Sequence, residues 1–338
     1  MTTQSPRIGM IGSGAIGGYF GYQLARAGYD VHFLLRSEYD VIARDGLRLE
    51  SKQFPHAPPV AVNAYRTIDA MPPCDWLFLA AKATSNAALA PLVARAAAPG
   101  ATVVCMQNGL GVEDMLRPML PASVHLLGGL GWIGVQRNAP GVVTHVALND
   151  LHFGYHSGPR DAARSPQRIV DEAVAMFASS GVGSKALPDL VEGRWRKLIW
   201  NVPYNGLSAL LKIGTKRLTA HPDSRQLLLA LMNEVMQGAA ACGYRLPSDT
   251  PQQMIGMTAG LDDYLPSMYY DAVLHRPMEL DVMYARPLAA ASAAGCALPR
   301  IDALYRALCV LDSLKADAGA PRLGEAALAD AMARCWSE

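Results

Sequence analysis

A short glycine-rich segment constrains the fold of this chain more than any other feature. The run Gly12-Ser13-Gly14-Ala15-Ile16-Gly17 follows an apolar stretch, Arg7 to Ile11, and opens a segment with helical character. In such a motif the first glycine permits a tight turn, the second lets the backbone approach a pyrophosphate, and the third lets the helix pack on the strand. Unpaired N–H groups at the start of the helix then face the phosphates. Because strand, glycine run and helix occur in this order, the sequence predicts a dinucleotide-binding unit rather than a purely structural turn.

The pattern of elements predicts two domains, which suits a length of 338 residues at roughly 150 residues per domain. Up to residue 185, short β-rich runs alternate with helical ones, as is typical of an α/β fold with a mainly parallel sheet. The runs 128–135 and 142–146 are too close for a crossover helix, so we expect them to pair antiparallel. After Pro188, apolar residues recur at three- and four-residue spacing, which indicates helices only. We therefore predict a doubly wound, Rossmann-type domain at residues 1–187 and an all-helical domain at residues 188–338.

Composition argues against several classes of protein. Apolar residues make up 51% of the chain, charged residues 17%, and the formal net charge is +1. Disordered chains have few apolar residues, and nucleic-acid-binding chains need clustered basic charge, so neither class fits. No run of 18 apolar residues lacks glycine or charge, so we expect no transmembrane helix. Six cysteines without a C-x-x-C pair favour reduced thiols in a cytoplasmic protein.

A metal site is not expected either. His152 and His156 have a spacing that would suit two ligands on a helix. They fall in a glycine-rich strand or loop, and no third ligand is nearby in the sequence. We predict no bound metal.

The end of the second predicted strand bears on which dinucleotide binds. That strand, from Asp30 to Leu35, is followed by Arg36, and the first acidic residue is Glu38. A site for NAD usually places an acid here to accept the ribose 2′-hydroxyl, whereas an arginine fits the 2′-phosphate of NADP. The sequence therefore favours NADP. The alternative is that Arg36 is a solvated loop cation.

Polar residues stand out at two strand ends and on one helix. Lys82 and Asn108 each follow an apolar strand, and ligands bind at the carboxyl ends of strands in open parallel sheets. Lys197, Asn201 and Asn205 are spaced four apart and so share one face of a helix whose other residues are mostly apolar. We interpret this stripe as facing a substrate, the alternatives being a solvated face or hydrogen bonds between helices. Leaving an amide buried and unpaired costs about 1–3 kcal/mol, so we expect the two asparagines to have a binding partner such as a substrate.

Taken in order, these motifs resemble the ketopantoate reductases (2-dehydropantoate 2-reductases) over almost the whole chain. The segments that carry the resemblance are 12–18, 35–36, 81–82, 107–109, 194–198, 266–268 and 279–281, together with Asn201 and Asn205. The resemblance implies reduction of a 2-oxo acid by NADPH, with ketopantoate converted to pantoate for pantothenate and coenzyme A synthesis. It also implies a homodimer formed through the helical domain.

The resemblance implies a role for individual residues. Lys197 is implied as the general acid that protonates the forming alkoxide. The implied substrate contacts are Asn108, Asn201, Asn205 and Ser267. The implied cofactor contacts are Gly12, Ser13, Gly14, Ala15, Ile16, Gly17, Arg36, Lys82, Asn108, Gly134 and Glu279.

Two positions depart from the family pattern. Thr215 stands where that pattern leads us to expect a further substrate asparagine, and Tyr264, three residues before Ser267, also replaces an asparagine. Both departures are on the substrate side. A related reductase of another branched or larger 2-oxo acid is therefore an alternative, and so is an NADP-binding sensor without catalysis. A sensor, however, has no use for a proton donor such as Lys197.

Overall fold

The computed structural model of the chain describes residues 5–160 and 164–317. Its contacts divide the chain into two compact units, one that ends at Leu190 and one that begins at Val191. We refer to them as the sheet unit and the helical unit. The boundary predicted from the sequence, between residues 187 and 188, lies just before this division.

A single sheet forms the frame of the sheet unit. Its nine strands, within the described residues, are β1 (Arg7–Ile11), β2 (Asp30–Leu34), β3 (Arg48–Ser51), β4 (Asn63–Tyr65), β5 (Cys74–Leu79), β6 (Ala97–Cys105), β7 (His125–Ala139), β8 (Val142–Ser157) and β9 (Gly183–Ala186). Their spatial order is β3-β8-β7-β6-β5-β1-β2-β4, with β9 paired to β8. Only β7 and β8 run antiparallel to each other among these pairs. The predicted α/β fold and the predicted antiparallel pair are both confirmed, although β7 and β8 are longer than expected.

The strand order reverses at β1, which lies between β2 and β5. After β1 the chain forms β2 on one side of β1, and it later forms β5 on the other side. At such a reversal a crevice opens beyond the carboxyl end of the strand. The glycine run 12–17 and the loops after β5 and β6 lie at these carboxyl ends. The topology therefore brings the predicted dinucleotide motif and the predicted strand-end residues to one edge of the sheet.

Helices cover the sheet and complete its core. They are α1 (Ala15–Arg26), α2 (Tyr39–Asp45), α3 (Asn86–Ala96), α4 (Val112–Leu116) and α5 (Pro166–Ser179). Phe177 of α5 packs edge-on against Phe20 of α1 and Phe78 of β5, with ring centroids 5.7 and 5.3 Å apart. All three rings are fully buried. This packing of large apolar side chains fixes α1, and with it the glycine run, against the strands.

The helical unit contains no strand in the described range 191–317. Its helices are α6 (Leu190–Leu211, which starts at the last residue of the sheet unit), α7 (Thr215–Ala220), α8 (Pro222–Ala241), α9 (Thr250–Ala259), α10 (Ser267–Val273), α11 (Arg286–Ala293) and α12 (Pro299–Asp317). This agrees with the all-helical prediction.

One predicted helix differs in detail. The sequence pattern predicts a continuous helix over 279–295, but the chain forms a π-helical turn at Asp281–Ala285 before α11. Pro287 has no N–H to donate to the carbonyl of Met283, and its ring would crowd that carbonyl in a regular α-helix. The wider turn just before the proline relieves this conflict.

Candidate active site

The glycine run has the close packing that its pattern predicts. Gly12 has a φ of +104°, and a Cβ added there would lie 2.7 Å from the backbone nitrogen of Ala81. A Cβ on Gly17 would collide with the carbonyl oxygen of Gly12, whereas one on Gly14 would meet nothing within 4 Å. The residues between them, Ser13 to Ile16, are partly exposed. The loop is thus tightly packed at Gly12 and Gly17, and it leaves open space at Gly14.

The start of α1 adds hydrogen-bond donors to this loop. Gly14 is the N-cap of α1, and no side chain caps the helix. The first turn has no acidic residue. Free N–H groups and the positive end of the helix dipole favour an anion here, so the loop fits the pyrophosphate of a dinucleotide.

The turn after β2 carries the arginine expected to select the cofactor. Arg36 is exposed, and none of the ion pairs in the described part of the chain involves it. The acid that follows, Glu38, is buried and is ion-paired to Arg137 of β7. Sequence reasoning missed this ion pair, because its members are far apart in the sequence.

Lys82 and Asn108 lie at neighbouring strand ends, as predicted, and both are half-buried. The residue before Asn108 is Gln107, whose Nε2 donates to the carbonyl oxygen of Ala81 at 2.8 Å. Gln107 and Asn86 also exchange two side-chain hydrogen bonds. The sequence motif contained Gln107 but gave it no role.

Gly134 lies in β7, where it pairs with Ala147 of β8 at an irregularity in the strand register. It is buried, and β7 packs against α1. Gly134 therefore lies in a strand that packs against α1 and not in the glycine run itself.

In the helical unit, the predicted polar stripe lies on α6 and is buried. Lys197, Asn201 and Asn205 are only 8%, 4% and 2% exposed. This burial contradicts the alternative that the stripe is a solvated face. The neighbours Trp195 and Leu198 on the same helix are also buried, so the three polar groups are in largely apolar surroundings.

Side-chain hydrogen bonds join the two asparagines to the start of α10. The Oδ1 atom of Asn205 accepts hydrogen bonds from the Ser267 hydroxyl and from the Met268 N–H, both at 3.3 Å. Asn205 Nδ2 donates to Asn201 Oδ1 at 3.4 Å. Asn205 thus makes the hydrogen bonds between helices that were one alternative interpretation of the stripe, and these bonds bring Asn201, Asn205 and Ser267 together.

This chain of hydrogen bonds ends on a donor without an acceptor. Asn201 Nδ2 is buried and has no hydrogen-bond partner among the described residues. Leaving such a donor unsatisfied costs about 1–3 kcal/mol, and buried polar atoms in native proteins are nearly always paired. The unpaired N–H is therefore available to an acceptor oxygen of a ligand at this position.

The surroundings of Lys197 change its acid strength. Burial lowers the pKa of its ammonium from 10.5 to about 7, because the apolar surroundings disfavour the charged form. The positive charge of Arg194 also contributes to this lowered pKa, and the negative charge of Glu279 opposes it. Arg194 is 2% exposed and lies one turn before Lys197 on α6. Lys197 can therefore donate a proton near neutral pH.

Glu279 is buried just before the π-helical turn. Its charge acts on Lys197, so the structure places this predicted cofactor contact in the electrostatic environment of the predicted acid. Arg194 was not identified by sequence reasoning. The available signal was the three-residue spacing between Arg194 and Lys197, which places both side chains on one face of a helix.

The two positions that depart from the family pattern lie together. The Thr215 N–H donates to the carbonyl oxygen of Tyr264 at 2.9 Å, and the Tyr264 N–H donates to Thr215 Oγ1 at 3.2 Å. Tyr264 is half-buried, and its ring lies 6.3 Å from that of Trp200 on α6. The Thr215 hydroxyl is thus already an acceptor within the protein.

Metal and membrane sites have no structural counterpart in the described residues. No group of three His, Cys, Asp or Glu side chains there is arranged to hold a metal ion, and no helix there is long and apolar enough to cross a membrane. His152 and His156 both lie in β8, and His156 pairs with Asp114 at 3.0 Å. No disulfide joins the cysteines of the described residues, and Cys335 lies outside them.

Comparison with known proteins identifies relatives over both units. Residues 8–158 match the family model described as "Ketopantoate reductase PanE/ApbA", and residues 189–311 match "Ketopantoate reductase PanE/ApbA C terminal". A 2-dehydropantoate 2-reductase of Nostoc sp. is 37% identical over 90% of this chain and 95% of its own length. One from Mesorhizobium japonicum is 27% identical over 82% of this chain and 89% of its own length.

Solved structures share the same fold. A 2-dehydropantoate 2-reductase from Geobacter metallireducens is 34% identical and has a TM-score of 0.83, over 90% of this chain and 99% of that chain. A D-mandelate dehydrogenase solved with NADH and anilino(oxo)acetate has a TM-score of 0.78, over 91% of this chain and 99% of that chain. At 20% identity, this second likeness concerns the fold alone.

Proposed function

The chain belongs to the ketopantoate reductase family of pyridine-nucleotide-dependent oxidoreductases, and we propose that it reduces ketopantoate to pantoate with NADPH. The observation that carries the proposal is the buried group on α6. There an ammonium with a pKa of about 7 lies on the same helix face as the unpaired N–H of Asn201. Reduction of a 2-oxo acid turns its carbonyl into a hydroxyl. The step needs a group that protonates the carbonyl oxygen and a group that donates a hydrogen bond to the substrate, and these two groups can supply both.

Several features of the sheet unit support binding of the dinucleotide. The glycine run and the start of α1 fit a pyrophosphate, as described above. We assign further cofactor contacts to Lys82, Asn108, Gly134 and, in the helical unit, Glu279. The exposed Arg36 has no ion-pair partner in the described residues and fits the 2′-phosphate of NADP, which supports NADPH over NADH.

The chemistry divides between the cofactor and the protein. When bound, NADPH supplies the hydride that adds to C2 of the 2-oxo acid. The developing negative charge on the C2 oxygen is stabilised by the Lys197 ammonium, whose Nζ then transfers one proton to that oxygen. The product is the 2-hydroxy acid, and neutral Lys197 regains its proton from solvent before the next turnover.

The other polar residues bind and orient the substrate. Asn201 Nδ2 donates to a substrate oxygen, which satisfies the buried N–H that lacks a partner. Asn205 holds Asn201 through the 3.4 Å hydrogen bond and is itself held by the start of α10. Ser267 and Asn108 complete the proposed substrate contacts. The surrounding apolar side chains exclude water and thereby strengthen each of these interactions.

The test follows NADPH oxidation and identifies the product. Purified protein with NADPH and ketopantoate should consume both in equal amounts and yield pantoate. The same assay with a panel of other 2-oxo acids separates the alternatives. Turnover only with another 2-oxo acid would support a related reductase, for which Thr215 and Tyr264 are the supporting observations. NADPH binding without turnover of any acid would support a sensor.

Two further expectations remain predictions. We expect the helical unit to mediate a homodimer, and we expect the protein to act in the cytoplasm without a nucleic-acid partner. Sedimentation of the purified chain tests the first of these.

A further inference from the structure

The acid nearest to Arg36 in the sequence, Glu38, is paired with an arginine of β7. Glu38 is the N-cap residue of α2, two positions after Arg36. Its Oε1 atom pairs with Nη1 of Arg137 near the end of β7, and its Oε2 accepts the Gly141 N–H at 3.4 Å. The Glu38 side chain is 5% exposed, whereas that of Arg137 is 40% exposed. The carboxylate is therefore turned toward the β7–β8 turn and away from solvent.

The next acid along the chain is also paired, but at the surface. Asp40 lies 2.5 Å from Nη2 of Arg66, with side-chain exposures of 76% and 54%. Solvent and salt screen an exposed charge of this kind strongly, and a buried one much less. Of the two acids that follow Arg36, only Glu38 is buried, so its negative charge is the one that requires an ion-pair partner within the protein.

The pairing leaves Arg36 as the uncompensated charge of the turn. In the part of the chain that the structure describes, Arg36 makes no ion pair. Two residues of chain span at most about 7 Å, so the backbone of Glu38 is close to that of Arg36. Without Arg137, the Glu38 carboxylate would keep the Gly141 N–H as a partner but would have no positive charge to compensate its own, two residues from the arginine. It would then attract Arg36 and repel a phosphate.

We propose that Arg137 determines the cofactor preference by neutralising Glu38, so that Arg36 remains available for the 2′-phosphate of NADPH. This inference rests on the proposed use of NADPH. Arg137 acts through Glu38 and is a positioning residue without a cofactor contact of its own. The adenosine ribose of NADH carries no 2′-phosphate, so the repulsion expected in the absence of Arg137 does not act on it.

The test measures the ratio of kcat/KM for NADPH to that for NADH in four proteins. Arg137→Met should lower the ratio at least about tenfold, mainly through a higher KM for NADPH, because an unpaired carboxylate then lies near the phosphate. The double variant Glu38→Gln/Arg137→Met should return the ratio to within about threefold of wild type, since the repelling charge is gone. Arg44→Met is the matched control. It removes the same charge from an exposed arginine that pairs with half-buried Asp45 at the other end of α2, and it should leave the ratio unchanged.

Two results would overturn the inference. One is an unchanged ratio in folded Arg137→Met. The other is a low ratio that persists in the double variant, which would mean that Arg137 acts directly rather than through Glu38. If Arg137→Met does not fold, Glu38→Gln alone decides the matter: the ratio should rise, and a fall would contradict the proposal. A wild-type protein that prefers NADH would instead refute the proposed cofactor, which is a distinguishable outcome.

Discussion

Gln107 and Asn86 exchange two buried side-chain hydrogen bonds at the carboxyl edge of the sheet. Gln107 Nε2 donates to Asn86 Oδ1 at 2.6 Å, and Asn86 Nδ2 donates to Gln107 Oε1 at 3.0 Å. Gln107 Nε2 also donates to the Ala81 carbonyl at 2.8 Å. Gln107 thus joins the chain after β6 to the loop after β5 and to the first residue of α3, beyond the last paired residues of the two strands, Leu79 and Cys105. It thereby fixes the backbone from which Lys82 and Asn108 project.

The first prediction concerns this amide pair. Asn86→Ala removes the two hydrogen bonds that Asn86 makes with the buried Gln107 amide. We expect the substitution to lower the free energy of unfolding by about 1–3 kcal/mol. Because Lys82 and Asn108 would be held less firmly, KM for NADPH should rise more than kcat falls. Urea unfolding and steady-state kinetics measure the two effects.

Asn138→Ala is a suitable control for that variant. Asn138 is an exposed asparagine of the same unit that donates to Thr144, so its loss should change stability by less than about 0.5 kcal/mol. An Asn86→Ala protein as stable as this control, with an unchanged KM, would refute a positioning role for the pair.

The second prediction is a pH dependence set by Lys197. Burial lowers the pKa of this ammonium from 10.5 to about 7, so the proton donor is present below about pH 7 and is lost as the pH rises through that value. The kcat/KM for ketopantoate at saturating NADPH should therefore fall with increasing pH around neutrality. A profile that stays flat up to pH 9 would show that no group with this pKa supplies the proton.

The third prediction uses Arg194 to shift that profile. Its positive charge lowers the pKa of Lys197, so Arg194→Met should move the falling limb of the kcat/KM profile to higher pH. A purely structural role for Arg194 would reduce activity at every pH without moving the limb. A shift toward lower pH would contradict the electrostatic explanation.

Local patterns in the sequence predicted much of this arrangement. The glycine run between a strand and a helix indicated the first β–α–β unit, and a spacing of four placed Lys197, Asn201 and Asn205 on one helix face. These features depend on backbone geometry within a few residues, which a sequence shows directly.

The parts that were missed depend on tertiary structure. Gln107 and Asn86 are 21 residues apart, and Glu38 and Arg137 are 99 apart, so their pairing requires the folded sheet. The pKa of Lys197 depends on how deeply the helix is buried. The short elements β3, β4 and α7 lack enough residues for a periodic pattern.

The fourth prediction concerns the substrate preference at Tyr264. The phenol ring lies near Trp200, and the Tyr264 N–H donates to Thr215 Oγ1, so Tyr264 and Thr215 together occupy the place of the two asparagines of the family pattern. Tyr264→Asn adds an amide. We expect it to raise kcat/KM for ketopantoate relative to 2-oxoisovalerate, which lacks the hydroxyl, by about threefold or more, the value of a weak hydrogen bond.

Tyr264→Phe keeps the ring and serves as the control for this substitution. It should leave the ratio of the two substrates close to that of the wild type. If Tyr264→Asn also leaves the ratio unchanged, Tyr264 does not contribute to substrate selection.

The central claim is that this chain reduces ketopantoate with NADPH and that Lys197 supplies the proton. The most direct measurement compares kcat for ketopantoate reduction in wild type and Lys197→Ala, with NADPH affinity measured in both proteins by direct titration. We expect measurable turnover in the wild type, a kcat at least about a hundredfold lower in the variant, and little change in NADPH affinity. A Lys197→Ala protein with near-normal kcat would contradict this claim.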